Sequence, residues 1–268
     1  MIKTTIPGTT LVVSRFILGT ASLFNVGTRK TRHRILHAAV DNGFTHFDTA
    51  PYYGFGMAER DLGAVIGNDP KITVTTKVGI YPPGGEQQSA IKIVLRKAAG
   101  RLFPKLSRAI IDFSVSRAQR SLYASLQRLK RDQIEVFMLH EPDLILLNSD
   151  EWLKWLETEV TSGKVGRFGL ALEANKLEPF LQQKHALVGV VQTTDSLDKK
   201  EADILLRYNK ALQITYGYVS AAQSREIDLS VVTILQHALQ RNKNGAIIVS
   251  TTKLERLGQY QRILETLR

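Results

Sequence analysis

The chain is predicted to be an α/β protein, a (β/α)8 TIM barrel with a short N-terminal hairpin, on three observations. Short β-rich runs alternate with helical patterns eight times along the 268 residues. That length suits one such barrel, which typically takes about 250 residues, and is short for two domains. Four polar residues, Asp48, Tyr53, Lys77 and His140, stand at or just beyond the ends of apolar runs, and in a parallel barrel the strand ends converge on one face. One barrel domain over residues 1–268 is therefore expected.

The elements follow in order. Pro7 and Gly8 turn the hairpin. A strand over 16–18 leads to a helix over 28–42 that Gly43 closes, since glycine readily takes the left-handed conformation beyond a helix end. A strand over 45–47, a helix over 58–66 with Gly67 behind it, and a strand over 72–76 come next. A helix over 115–130 opens after Ser114, followed by a strand over 135–139 and a helix over 151–161 that ends before Gly163. The second half reads as strand 165–170, helix 175–183, strand 188–192, helix 199–208, strand 211–215, a short loop, helix 230–241, strand 246–249 and helix 254–267. Residues 79–113 break the rhythm: they contain PPGG and a small helical pattern over 91–99. Long loops after barrel strands form lids or substrate walls, so this insertion is a candidate for substrate recognition or a structural loop. Phe24, Tyr52, Tyr81 and Trp152 are read as wall or packing residues.

Composition narrows the function classes. Hydrophobic residues make up 43% of the chain with only eight prolines, which fits a folded protein rather than a disordered one. With no cysteine there is no disulfide, thiolate nucleophile or cysteine-ligated metal. The apolar start is interrupted by Pro7, Gly8, Ser14 and Arg15, so it reads as neither signal peptide nor membrane span, and a cytoplasmic location is expected. The net charge of +11 is concentrated in residues 92–131, where eleven basic residues meet one acid, Asp112. No aromatic stacking pattern or DNA-binding signature accompanies them, so they read as solvated helix faces, with attraction of anionic ligands as the milder consequence. No nucleic acid, membrane or obligate protein partner is expected. Gly54, Gly56, Gly63 and Gly67 lack the context of a dinucleotide fingerprint, and His33 and His37 share a helix face without a third ligand, so no metal is expected. Glu59 reads as a structural ion-pair or helix-start residue.

The four polar residues carry the chemistry. A tyrosine with an ordinary pKa near 10 is a poor acid or base at neutral pH, but an adjacent ammonium favours its phenolate. Lys77 can supply that charge, Asp48 can pair with Lys77, and His140 can orient or polarise a carbonyl. Such a group moves a proton to or from a carbonyl oxygen and needs a hydride-donating cofactor for reduction.

These residues lie in motifs that resemble the aldo-keto reductase family. Residues 43–54 (GFTHFDTAPYYG) followed by 58–63 (AERDLG) are similar to the family's Asp and Tyr signature, residues 75–77 (TTK) to its lysine strand, and residues 138–140 (MLH) to its histidine strand. The resemblance implies a (β/α)8 barrel that interconverts an aldehyde, ketone or aldose carbonyl and its alcohol. Tyr53 is then the general acid in reduction and the base in oxidation, Lys77 and Asp48 tune it, and His140 orients the substrate. It also implies a nicotinamide cofactor, NADP with NAD as the alternative, contacted by Gly19, Gln192, Tyr216, Ser250, Thr251, Thr252, Lys253 and Arg256. Within this pattern Ala171 and Leu172 replace a Ser and an Asn that hold the carboxamide, and Ser250 replaces a common lysine. The rival reading is a non-catalytic nicotinamide-binding regulatory barrel.

Overall fold

The computed structural model describes residues 1–86, 88 and 108–266, so the helix expected over 91–99 lies outside the described residues. Strands β1 (Lys3–Thr5) and β2 (Val12–Ser14) pair antiparallel as the expected hairpin. Then come β3 (Phe16–Gly19), α1 (Arg29–Asp41), β4 (His46–Asp48), α2 (Met57–Ile66) and β5 (Thr73–Val78). The segment after β5 opens and closes with a small antiparallel pair, β6 (Ile80–Tyr81) and β7 (Ile110–Ile111). The chain continues through α3 (Val115–Leu129), β8 (Ile134–His140), α4 (Ser149–Thr161), β9 (Val165–Leu172), α5 (Glu178–Gln182), β10 (Val191–Thr194) and α6 (Asp203–Arg207). It ends with β11 (Ile214–Tyr216), α7 (Tyr218–Ser224), α8 (Val231–Arg241), β12 (Ala246–Val249) and α9 (Leu254–Glu265). Strands β3, β4, β5, β8, β9, β10, β11 and β12 form a closed parallel barrel in chain order, β12 pairing back onto β3.

The pleat's period of two sorts side chains between two cores. In β8, Phe137 and Leu139 join the layer between strands and helices, whereas Val136 and Met138 join a smaller cluster inside the barrel. The hairpin supplies Ile6, Leu11 and Val13 to that inner cluster, where they meet Ile17, Ile214 and Ala246. Gln213 Nε2 fastens it by donating to Pro7 O at 2.8 Å. One barrel mouth is thereby plugged with apolar side chains, and chemistry is left to the other, where the strands end.

Helices α2 and α3 meet at Gly63. A Cβ there would lie 2.6 Å from the carbonyl carbon of Leu129 and closer still to Arg128 O, both backbone atoms that cannot swing aside. Gly63→Ala is expected to destabilise the fold by about 3 kcal/mol, a change that urea unfolding would register directly. Beside this contact Glu59 is wholly buried, paired with Arg128 Nε at 2.6 Å and accepting from Thr76 Oγ1 at 2.7 Å. It is the structural ion-pair residue the sequence indicated.

Several expected elements differ. The helix expected over 175–183 begins only at Glu178, after a 3-10 turn, because Pro179 suits a first helical turn and not an interior. The helix expected over 199–208 shrinks to α6, since Lys200 adopts a left-handed φ of 52° that a right-handed helix cannot contain. Residues 186–189 form a 3-10 turn, moving the sixth barrel strand to Val191–Thr194, and the seventh runs Ile214–Tyr216. The loop expected after it contains α7. Tyr81 and Trp152 are each 1% exposed and belong to packing: Trp152 Nε1 donates to Phe113 O at 2.8 Å, and the Arg117 guanidinium covers the Tyr81 ring at 4.0 Å.

Candidate active site

Asp48, Lys77 and His140 end or nearly end β4, β5 and β8, and the parallel register brings them to the unplugged mouth. Lys77 Nζ donates to both Asp48 carboxylate oxygens at 2.7 Å, to Thr49 O at 2.9 Å and to Tyr53 Oη at 3.3 Å. Tyr53 follows β4 on a turn whose next three residues, Gly54, Phe55 and Gly56, have φ of 58°, 58° and 75°. Two of these left-handed positions are glycine, as such backbone requires. A Cβ on Gly54 would also fall 2.8 Å from Phe24 Cδ2, so the turn packs closely as it leads into α2. The His140 ring stands edge-on to Tyr53, centroids 6.1 Å apart and planes at 89°.

Burial governs protonation here. It pushes the Tyr53 phenol above its ordinary pKa; Lys77 opposes this and Asp48 adds to it. Burial thus outweighs the Lys77 charge, and the Tyr53 phenol is protonated at neutral pH. Burial lowers Lys77, yet Asp48 and Tyr53 hold its ammonium above the ordinary value. Burial also raises the Asp48 carboxyl, opposed by Lys77 and a hydrogen bond from Gln192. His140 is pushed down to about 3 by burial and the charges of Lys77 and Lys176, so its imidazole is neutral; its Nδ1 has no partner.

A fully buried histidine, His46, lies beneath the site. His46 hydrogen-bonds Thr73 Oγ1 at 2.6 Å and Thr75 Oγ1 at 2.8 Å, and burial, with Arg131 and Lys77, brings it to about 3. Both folded values lie below the unfolded value near 6.5, so between them the unfolded chain binds more protons and stability falls on acidification. For His46 the slope approaches about 1.4 kcal/mol per pH unit. Urea midpoints at pH 7 and pH 5 are expected to differ accordingly, and His46→Gln should flatten the dependence; an unaltered slope in that variant would refute the assignment.

Tyr53 and His140 line a cleft of about 400 Å³. Of the expected cofactor residues, Gly19, Gln192, Tyr216, Ser250 and Arg256 line it, together with Ala171. Thr251, Thr252 and Lys253 are not among the lining residues, and the Thr251 hydroxyl is engaged locally, accepting from Lys253 N at 3.0 Å. One feature fits a bound dinucleotide: Gln192 Oε1 is buried with no hydrogen-bond partner among the described residues. Gly19 is a close-packing position, since a Cβ there would come within 2.8 Å of Ser250 Oγ and Ile248 Cγ2. Ala171 faces the barrel interior, while Leu172 is wholly buried in the outer core, so neither offers a polar contact. Sequence reasoning missed one part of the cleft lining: Tyr218, Val219, Ser220 and Gln223 from α7, and Val231 and Leu235 from α8. Gly217, at φ 102° between Tyr216 and that helix, was the available signal. Among the described residues no group of three or more metal-ligating side chains occurs, and no helix is long and apolar enough to cross a membrane.

A parallel eight-stranded barrel with a buried Lys–Asp pair beneath a phenol, at the mouth where its strands end, defines a barrel protein with an ammonium set against a protonated hydroxyl, an arrangement that can move a proton. The chain belongs to the aldo/keto reductase family, whose model matches residues 15–192. It is 33% identical over 168 residues to the uncharacterized oxidoreductase YrpG of Bacillus subtilis, covering 60% of this chain and 46% of the relative. It is 34% identical over 148 residues to a 6-dehydroglucose reductase of Novosphingobium aromaticivorans, covering 52% and 40%. The chain thus spans less than half the length of these curated relatives. In fold it resembles the aldo-keto reductase AKR11C1 from Bacillus halodurans (holo form), with a TM-score of 0.76 at 18% identity over 99% of this chain and 91% of that one.

Proposed function

We propose that the chain is an NAD(P)(H)-dependent oxidoreductase that interconverts an aldehyde, ketone or aldose carbonyl and its alcohol. The observation that carries this reading is the junction of the Lys77–Asp48 pair and Tyr53 on a cleft that Gln192, Ser250 and Arg256 also line. A nicotinamide held in this cleft would supply the hydride equivalent that carbonyl reduction needs. Gln192 would meet its carboxamide through the unpartnered Oε1, Tyr216 would face its ring, and Ser250 and Arg256 would meet the phosphate end. Arg256 favours NADP within this reading, because a guanidinium forks onto a phosphate. A cytoplasmic setting, in reach of a reduced nicotinamide pool, goes with it, as does a small-molecule partner.

In reduction Tyr53 gives its phenolic proton to the carbonyl oxygen, and the Lys77 ammonium 3.3 Å away stabilises the phenolate left behind. Asp48 keeps Lys77 in place through both carboxylate oxygens. Neutral His140 donates one N–H to the same carbonyl oxygen and turns the carbonyl toward Tyr53. Oxidation reverses each proton movement.

Titration of intrinsic fluorescence with NADPH and NADH, followed by nicotinamide absorbance with a panel of aldehydes and aldoses, tests the proposal. Binding plus turnover supports it. Binding without turnover across the panel would replace it with the regulatory barrel, and absence of binding would mean that Ala171 and Leu172 have cost the chain its cofactor.

A further inference from the structure

Asp195 follows β10 closely, and its side chain has no exposed surface. Donors from three separate elements meet on it. Tyr218 Oη donates to Oδ2 at 2.6 Å, Arg241 donates from Nε to Oδ2 at 2.6 Å and from Nη2 to Oδ1 at 3.0 Å, and Ala202 N donates to Oδ1 at 3.1 Å. Tyr218 opens α7, Arg241 closes α8, and Ala202 precedes α6. Burial and the Asp195 charge push the Tyr218 phenol far up, so it remains a donor. The other end of α7 is held separately: Arg225 donates to Asp198 Oδ1 at 2.6 Å, Glu201 Oε1 at 3.0 Å and Ser196 Oγ at 3.0 Å. Helix α7 is therefore fastened at both ends to the segment that follows β10. It presents Val219, Ser220 and Gln223 to the cleft, which Tyr218 lines as well, and α8 adds Val231 and Leu235.

We propose that Asp195 is a positioning residue which, through Tyr218 and Arg241, fixes the wall made by α7 and α8 and so sets how long a dinucleotide stays in the cleft. The inference rests on the cofactor reading above. A carboxylate with several donors, wholly buried, could serve the fold alone; what separates the roles is that two of its partners stand in helices that line the cleft. A wall held by charge-assisted bonds loses less order on binding, and a loosened wall shows chiefly in the dissociation rate.

The test measures NADPH dissociation by stopped-flow fluorescence in wild type, Asp195→Asn and Arg225→Gln, with the thermal midpoint of each recorded. Asp195→Asn removes the charge that Tyr218 and Arg241 share and keeps the shape; Arg225→Gln loosens the far end of α7 from the surface and carries the same test if the first variant does not fold. The expected result is dissociation about fivefold to tenfold faster, with the single-turnover rate of the bound complex changed less than about twofold. Lowered thermal midpoints with unchanged dissociation would overturn the inference and leave Asp195 a fold anchor. Wild type that binds neither NADPH nor NADH would instead overturn the cofactor reading and the inference with it.

Discussion

Tyr53→Phe is expected to lower kcat/KM for carbonyl reduction by about 10³-fold while leaving the cofactor dissociation constant within about twofold of wild type. The substitution removes the one hydroxyl that Lys77 touches and preserves the ring facing His140. Lys77 keeps both Asp48 oxygens and Thr49 O, so no buried charge is left without a partner and stability should barely change. Loss of rate therefore reports the proton alone. Because Tyr53 lies above the ordinary phenol pKa, reduction should be level through neutral pH and decline only where the phenol ionises, whereas oxidation, which needs the phenolate, should climb with pH. Nicotinamide absorbance gives the rates and fluorescence titration the binding. Retention of more than about a tenth of the activity would move the proton donor to another group.

The sequence made some of this visible for identifiable reasons. Lys77 and His140 stand after runs whose β character is plain, and Asp48 ends a strand bounded by Gly43, so the register that brings them together follows from strand ends. The second half was less legible. Val188, Val190 and Val191 form one apolar stretch, yet Val188 belongs to a 3-10 turn, and nothing local distinguishes the turn from the strand. Helix α7 buries only Tyr218 and Ala222, too few to display a helical period. The donors on Asp195 come from positions 202, 218 and 241, so their meeting is a property of the closed barrel and leaves no spacing to read. Trp152 and Tyr81 show the converse: large aromatics near long loops look like walls until a backbone partner and a covering guanidinium place them in the core.

The second large effect concerns the Lys77–Asp48 pair. Lys77→Met is expected to cost about 3–5 kcal/mol at pH 7, because it strands the Asp48 carboxylate in a buried setting. Asp48 is 3% and Lys77 1% exposed, so water cannot replace the lost partner. Pairing Lys77→Met with Asp48→Asn removes both charges, and the double variant should be markedly more stable than the sum of the single effects predicts, with a coupling of about 2 kcal/mol or more. The pH dependence has a definite sign. Burial already raises the Asp48 carboxyl against the pull of Lys77; without Lys77 its folded pKa stands well above the unfolded value near 3.9. Across that interval the folded variant binds more protons than the unfolded chain, so its stability falls as pH rises. The deficit of Lys77→Met relative to wild type should thus be smaller at pH 5 than at pH 7, and loss of the Lys77 charge that lowers His46 and His140 acts in the same direction. Urea unfolding at both pH values decides the matter, and strictly additive, pH-independent losses would mean that the two charges act separately. Each variant should also lose turnover, since the pair that resists separation in folding is the one that holds an ammonium beneath Tyr53 before any substrate arrives.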